Sequence, residues 1–583
     1  MRESLFAGFR GGQFLLYGVT FLLGFLPSLQ LGADEARRLP VEEYVDKMKA
    51  GWIGQMVGVG WGAPTEFRYC GRIVPEDQVP AWRPETVNQF FQDDVYVEMT
   101  FLETLEREGL DVAAKEAGID FAASGYRLWH ANNAGRENLR KGIAPPDSGH
   151  PQFNGHADDI DYQIEADFAG LISPGLPQMA IDLGEVFGRI MNYGDGLYGG
   201  QFVAGMYTEA FFDRDSMRIV KAGLRCIPED SQYAECIRDV LEGYEAHPES
   251  WEATWERIHR KYQQNSNYRR FSCRKDDFNI DAKINGAYIV MGLLYGRGDP
   301  DQTTLIAIRC GQDSDCNPSN AAGILFTSLG AHQIPARFKE SLDEKALFSH
   351  TEYTFERLMG ACEKLAREAV MKEGGSIEKD AAGREVLVIP RQSPRPSPLE
   401  QCWEAGPVAG SRYTEKEMQR IKRKMLDVRS RWIEKQRTSC EAPQTVYASF
   451  SSFAPGWTLK GCGKDMSPGL LDEWQGRENV FVTHPLMQEV PCVLSKKIKV
   501  QEGKENRRSL VVGHHPKGNW DLVIRVNSRE ILRKTVGRNS AKDGWMTLEV
   551  DLSNYAGQTV SLELLNQPTG WRWEAAYWTQ LPW

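Results

Sequence analysis

The sequence has no basic excess. Its 583 residues carry a net charge of −11 with a pI near 5.6, and no Lys/Arg-rich patch with interleaved aromatics occurs. A surface that tracks nucleic-acid phosphates needs the opposite balance, so nucleic acid is excluded as a partner. Apolar length is short as well. The stretch Phe14–Leu26 is thirteen residues, against the roughly 20 needed to span a bilayer. It follows Arg2 and Arg10 and leads to Gly32 and Ala33, which reads as a secretory signal over residues 1–33 rather than an integral membrane segment. No cysteine precedes Cys70, which excludes a lipid-modified N-terminal cysteine. The eleven cysteines include no CxxC pair and no tight Cys/His framework, so a zinc site is not expected, and their odd count leaves at least one thiol unpaired in a monomer.

What is present is the composition of a soluble globular chain, 41% hydrophobic and 26% charged, and too long for one core. Over residues 41–373 apolar residues recur at three- and four-residue steps, as in Val95–Arg107, Gln178–Met191, Asn285–Tyr295, Ala321–Leu329 and Thr354–Lys372. That pattern predicts an all-α domain. Residues 374–443 read as a linker and connector: Gly, Pro and charge up to Gly410, then Met418, Ile421, Met425, Val428 and Trp432 at the spacing of one amphipathic helix. Residues 444–583 alternate, with Leu522, Ile524 and Val526 on one face and Val560, Leu562 and Leu564 on another. The expected architecture there is an antiparallel, jelly-roll-like β-sandwich. Eight of the sixteen tryptophans fall in it. Their faces suit sugar rings, and core packing of a small sandwich accounts for them equally.

Three acidic segments stand out. In Gln92-Asp93-Asp94-Val95 two adjacent acids precede an apolar periodic run; one would cap a helix, and the second exceeds what a cap requires. In Gly311-Gln312-Asp313-Ser314-Asp315-Cys316-Asn317-Pro318 the acids alternate on a Gly-led loop just before a helix, which turns both side chains one way, as hard-cation sites do. The third, His156-Ala157-Asp158-Asp159-Ile160-Asp161, places three aspartates within four positions. Taken alone it is a solvated turn.

Together with these, Gly58-Val59-Gly60-Trp61-Gly62-Ala63-Pro64-Thr65-Glu66-Phe67 resembles the Gly-rich N-terminal motif of the ADP-ribosylglycohydrolase superfamily. Gln92-Asp93-Asp94 resembles that family's Thr-Asp-Asp, and Gly311–Cys316 its Gly-Gly-Asp-Thr-Asp-Thr. Asn154-Gly155 with Phe168–Leu171 is similar to its Asn-Gly…Pro-Leu-Gly-Leu segment. The motifs stand in family order and leave the signal, connector and sandwich uncovered. The resemblance implies an all-α fold holding one or two Mg²⁺, with Ca²⁺ or Mn²⁺ as substitutes, and cleavage of a glycosidic bond at a ribosyl C1. It implies a metal site of Gln92, Asp93, Asp94, Asp313, Asp315 and Cys316, in which Gln92 and Cys316 stand where the family has threonines. It implies Glu66 as a catalytic or gating carboxylate, and Asn154, Gly155 and Gly311 as substrate-binding positions. Asp158, Asp159 and Asp161 lie outside the family pattern; Asp159 and Asp161 are the further candidates for acid/base work.

A chain read as secreted or periplasmic does not match ADP-ribosylated proteins as substrate, which points to a furanosyl-type bond in a glycan or small molecule. The alternative is a non-catalytic secreted carbohydrate-binding protein with a degenerate hydrolase domain, favoured by the two threonine replacements. A purely structural role sits poorly with retained Asp pairs, because unpaired buried carboxylates are costly.

Overall fold

In the computed structural model, residues 36–488, 490–503 and 505–583 are described. The expected signal segment lies outside them. Among the described residues no helix is long and apolar enough to cross a membrane. The chain divides into two compact units, the first ending at Lys416 and the second running over Glu417–Trp583, which also gathers the short segment Ala123–Tyr126.

The first unit is helical where the periodicity predicts it. Helices occupy Asp93–Glu108, Pro177–Phe187, Ala282–Tyr295, Cys316–Leu329 and Phe355–Lys372, among others. Their starts carry ordinary caps, as where Thr354 accepts the amide of Arg357. The opening helix, Val41–Gly62, is buried along nearly its whole length and lies against Cys316–Leu329. What allows this is a glycine every fourth position on the facing side. A Cβ at Gly54 would stand 2.5 Å from the carbonyl oxygen of Ala322, at Gly58 2.2 Å from that of Pro318, and at Gly62 1.9 Å from that of Ser314. Any side chain there would force the two backbones apart.

The segment expected to be a linker after residue 374 contains structure of its own. Ser376–Lys379 and Glu385–Pro390 form a hairpin, and Ala36–Pro40 pairs antiparallel with its second strand. The turn closes because Asp380 accepts the amides of Ala382 and Arg384 and Gly383 takes a positive φ. Val386, Leu387, Val388 and Ile389 are all buried, the continuous apolar run of a strand covered on both faces rather than of a linker.

In the second unit the connector helix spans Glu415–Cys440, with Ile421 buried. The sheet region begins later than expected, since Gln444–Phe453 is a further helix that buries Val446 and Phe450 one turn apart. Two five-stranded antiparallel sheets follow. One runs Arg529–Val536, Trp520–Val526, Thr559–Gln567, Cys492–Lys499, Thr458–Lys460; the other runs Trp545–Asp551, Arg507–His514, Ala576–Trp578, Arg477–Thr483, Gly469–Trp474. Leu522, Ile524, Val526, Val560, Leu562 and Leu564 all point into one core with Leu510 and Val512 from the opposite sheet. Trp457, Trp520, Trp545 and Trp578 are buried, whereas Trp571 and Trp573 are exposed. None of the eleven cysteines forms a disulfide.

The helix contact generates the first prediction. Alanine normally stabilises a helix interior over glycine by about 1 kcal/mol. Gly58→Ala is expected to lower stability by about 1–3 kcal/mol, because the added methyl meets backbone. Gly360→Ala, in the helix Phe355–Lys372 with nothing within 4 Å of the new Cβ, is expected to raise it. Denaturant midpoints of the two variants check the pair; a neutral Gly58→Ala would contradict the close approach.

Candidate active site

The end of the opening helix and the start of Cys316–Leu329 are fastened together, and this places the first set of acids. Thr65 Oγ1 lies 2.8 Å from Ser314 Oγ and donates to the Gly62 carbonyl. The Phe67 amide donates to the carbonyl of Gln312 at 3.0 Å. Glu66 therefore stands over the loop Asp313–Asp315. Asp93 and Asp94 open their helix on the other side, and Asp94 and Asp315 lie close enough for each pair's charge to act on the other.

Asp94, Asp313 and Asp315 are buried, and Asp93 is half-buried. Loss of hydration pushes all four carboxyls up, Asp94 and Asp313 well above the ordinary range and Asp315 to about 6. Mutual repulsion adds to this, first from Asp93 on Asp94 and from Asp315 on Asp313. Glu66 as a residue is open to solvent, yet protein crowds its carboxyl. That desolvation, followed by the charges of Asp315 and Asp93, lifts it to about 8. Asp94 Oδ2 and Asp313 Oδ2 are buried without a hydrogen-bond partner among the described residues. Buried, unpaired carboxylate oxygens of this kind suit a hard divalent cation.

The flanking positions differ in chemistry. Cys316 is buried with its sulfur among Asp313 and Asp315. Burial pushes its thiol well up, so it offers a neutral, soft atom. Gln92 donates its amide to Gln89 at 3.3 Å.

Behind the Asp pairs lies a set of acids that the sequence reading passed over. Glu98 accepts the Phe168 amide, Asp167 accepts Tyr207 Oη and Asn320 Nδ2, and Glu165 accepts Asn132 Nδ2 at 2.8 Å. All three are buried and held up by desolvation, Asp167 to about 7. Glu98 had one readable signal: it follows Asp94 by one helical turn, on the face that carries Phe101 and Leu105 into the core.

The third acidic segment is divided by the fold. Asp158 approaches Lys283, whose ammonium also lies 3.2 Å from Asp281. Asp161 accepts the amides of Ala131 and Asn132 at 3.0 and 3.1 Å and so caps the helix His130–Arg140. With both oxygens so engaged it holds a helix end instead of facing a substrate. Asp159 alone turns toward other functional groups, with Oδ2 2.7 Å from His156 Nδ1 and 3.2 Å from His130 Nδ1.

Two of the expected substrate positions are tied into the fold. Asn154 is fully buried, donates to the carbonyls of Ala131 and Met191, and accepts the His156 amide. Gly311 has φ +81° and its Cβ position is closed off by the carbonyls of Tyr69 and Arg72 at 2.6 Å. Gly155 is exposed with open space before it.

The family model described as ADP-ribosylglycohydrolase matches residues 40–374, more than half of the chain. The chain belongs to the ADP-ribosylglycohydrolase family, hydrolases that are typically metal-dependent. A solved structure described as "ADP-ribosylglycohydrolase-related protein complex" is 16% identical, with 56% of this chain and 99% of that chain covered and a TM-score of 0.38. No curated protein matches the chain.

The buried acids set a pH dependence. Carboxyls held above their unfolded pKa, about 3.9 for Asp, bind protons more tightly in the folded state. That stabilisation is complete below the unfolded value and is lost as pH rises through about 6 for Asp161 and about 7 for Asp167. Chelator-treated protein is expected to melt at progressively lower temperature from about pH 4 to about pH 7, and Mg²⁺ at neutral pH to restore it by mass action. A melting temperature that does not move with pH or Mg²⁺ would be the contrary result.

Proposed function

We propose that the chain is a divalent-metal-dependent glycoside hydrolase that cleaves a ribosyl or other furanosyl bond at C1, outside the cytoplasm as its N-terminal sequence predicts. The reading is supported by one observation: Asp93 and Asp94 lie near enough to Asp315, and Asp93 and Asp315 to Glu66, for their charges to act on one another, with Asp94 Oδ2 and Asp313 Oδ2 buried and unpaired among the described residues. Asp93, Asp94, Asp313 and Asp315 would hold Mg²⁺, for which Ca²⁺ or Mn²⁺ substitutes, with the Cys316 sulfur beside Asp313 and Asp315. A bound cation of this kind supplies attraction for sugar hydroxyls and for charge that develops on oxygen.

Glu66 is the proton carrier. Its carboxyl is lifted first by desolvation and then by Asp315 and Asp93. Charge compensation at the aspartates removes the second contribution and keeps the first. A carboxyl whose proton affinity is raised in this way is suited to general acid and base work near neutral pH. Asp159 is instead engaged with His156, hydrogen-bonded at 2.7 Å, and with His130 at 3.2 Å, and Asp161 acts by holding the helix His130–Arg140 in place.

A screen of purified protein against ADP-ribosyl peptides and furanosyl and pyranosyl glycosides, with and without chelator, tests the reading. Release from a furanosyl donor that chelator abolishes is the expected result, and no release from any donor would sink it. With the substrate so found, Glu66→Gln is expected to lower kcat by about 10²–10⁴-fold with little change in KM. Asp315→Asn is expected to lose both Mg²⁺ binding and turnover while keeping its helical circular dichroism.

The sandwich supports the same reading as a carbohydrate-binding unit. Trp573 is exposed and stacks on His515 at 4.6 Å, and Trp474 stacks on Tyr577 at 4.3 Å. Such preset aromatic faces suit sugar rings. Replacing Trp571 and Trp573 by alanine is expected to reduce retention on polysaccharide in affinity electrophoresis and to leave cleavage of a soluble small glycoside unchanged. Unaltered retention would assign these rings to the fold alone.

A further inference from the structure

We propose that the first unit holds a second metal centre, separate from the Asp pairs, for Zn²⁺ or a cation of similar borderline softness. Its ligands are Nδ1 of His130, Nδ1 of His156, a carboxylate oxygen of Asp159 and Sγ of Cys273. These four atoms all lie within 4.8 Å of one another. Tetrahedral zinc with bonds of about 2.0–2.3 Å sets its ligand atoms roughly 3.3–3.8 Å apart, so the cluster closes on a cation by side-chain rotation alone. Asp159 has no exposed side-chain surface, and its Oδ1 makes no hydrogen bond among the described residues. Two imidazoles, one carboxylate and one sulfur form a donor set that selects against Mg²⁺ and Ca²⁺ and for zinc-like ions.

The four ligands come from three segments, and each is fixed by contacts of its own. His130 opens the helix that Asp161 caps, in a left-handed conformation with φ +36°. Its ring stacks on Phe278 at 5.7 Å. His156 and Asp159 share one turn, in which the Asp159 amide donates to the His156 carbonyl. Asn192 holds that turn through the carbonyls of Ala157 and Asp159. Cys273 lies on a loop wound around the buried guanidinium of Arg269, which donates to the carbonyls of Gln263, Arg274, Asp276 and Phe278. A site whose ligands are already placed loses little entropy when the ion arrives.

Access is also provided. The side chain of His156 is 36% exposed and that of His130 23%, so an ion and a water reach the cluster. The neighbouring group Asp158, Asp159 and Asp281 is not the site. Lys283 already brings a positive charge to 3.2 Å from Asp281 and 3.8 Å from Asp158. The proposed centre shares no ligand with the Asp pairs and stands independently of the glycosidase reading.

Co²⁺ is the spectroscopic probe. Full-length protein freed of metal and titrated with Co²⁺ is expected to develop a near-ultraviolet thiolate-to-cobalt charge-transfer band with the visible bands of four-coordinate cobalt. The band should saturate at one ion per chain and be discharged by Zn²⁺. Cys273→Ser should abolish the charge-transfer band, His156→Ala should weaken zinc affinity by more than about 10-fold, and Asp315→Asn should leave the band intact. Absence of the band, or the same band in Cys273→Ser, would overturn the proposal. Competition of the wild-type protein with a chromophoric zinc chelator decides the matter without any variant: one tight site supports it, and none overturns it.

Discussion

Two backbones in contact are the constraint on which this domain depends. The glycines at positions 54, 58 and 62 bring the opening helix to within carbonyl reach of Ala322, Pro318 and Ser314. No combination of larger side chains achieves that spacing, because even a Cβ would overlap. The contact fixes the end of one helix against the start of another, and from this the loop bearing Glu66 inherits its position over Asp313 and Asp315. A slip of one turn would carry Thr65 away from Ser314 and Phe67 away from Gln312. The Gly-rich motif is thus a device of packing that has a chemical consequence.

The second constraint is charge. Carboxylates withdrawn from water raise their own proton affinity and that of their neighbours, and this domain gathers Asp94, Glu98, Glu165, Asp167, Asp313 and Asp315 in one buried region. At one place the chain provides its own compensation, where Lys283 meets Asp281 and Asp158. Among the described residues no lysine or arginine forms an ion pair with the Asp pairs. Asp167 is stabilised instead by neutral donors, Tyr207 and Asn320. The contrast between these three solutions separates structural acids from those free to meet an external cation.

Much of this was readable from the sequence, for reasons that differ by element. Helix periods over 41–373 and strand alternation near 522–526 and 560–564 report a buried face directly, and those elements form where expected. Adjacent acids before an apolar run exceed the needs of a cap, so Asp93 and Asp94 declared themselves. Side-chain identity alone could not divide Asp158, Asp159 and Asp161, because their partners Lys283, His130 and the amide of Ala131 lie far off in the chain. Asn154 and Gly311 carry the residue types of a binding motif, yet the first is saturated by carbonyls and the second is pressed by them. The hairpin at 376–390 was hidden by glycines and prolines around it that serve as its turn and its end. Cysteine spacing argued against a zinc-like cluster only because that argument looks for ligands close in sequence; Cys273 reaches the histidines from more than a hundred residues away.

The replacement of threonines by Gln92 and Cys316 bears on whether the Asp pairs still serve a cation. A hard ion is held chiefly by charge, with neutral oxygens completing its coordination. The exchanges touch only neutral groups: the Cys316 thiol is kept protonated by burial, and a glutamine amide is as neutral as a hydroxyl. All four carboxylates stay, and the inward acids add to the same field. A domain that had stopped binding cations would have to keep these buried carboxyls protonated at a cost in pH tolerance, whereas a protein that binds one converts the repulsion into affinity. The charges left in place therefore weigh more heavily than the hydroxyls that were lost, and they favour a working site over a relic.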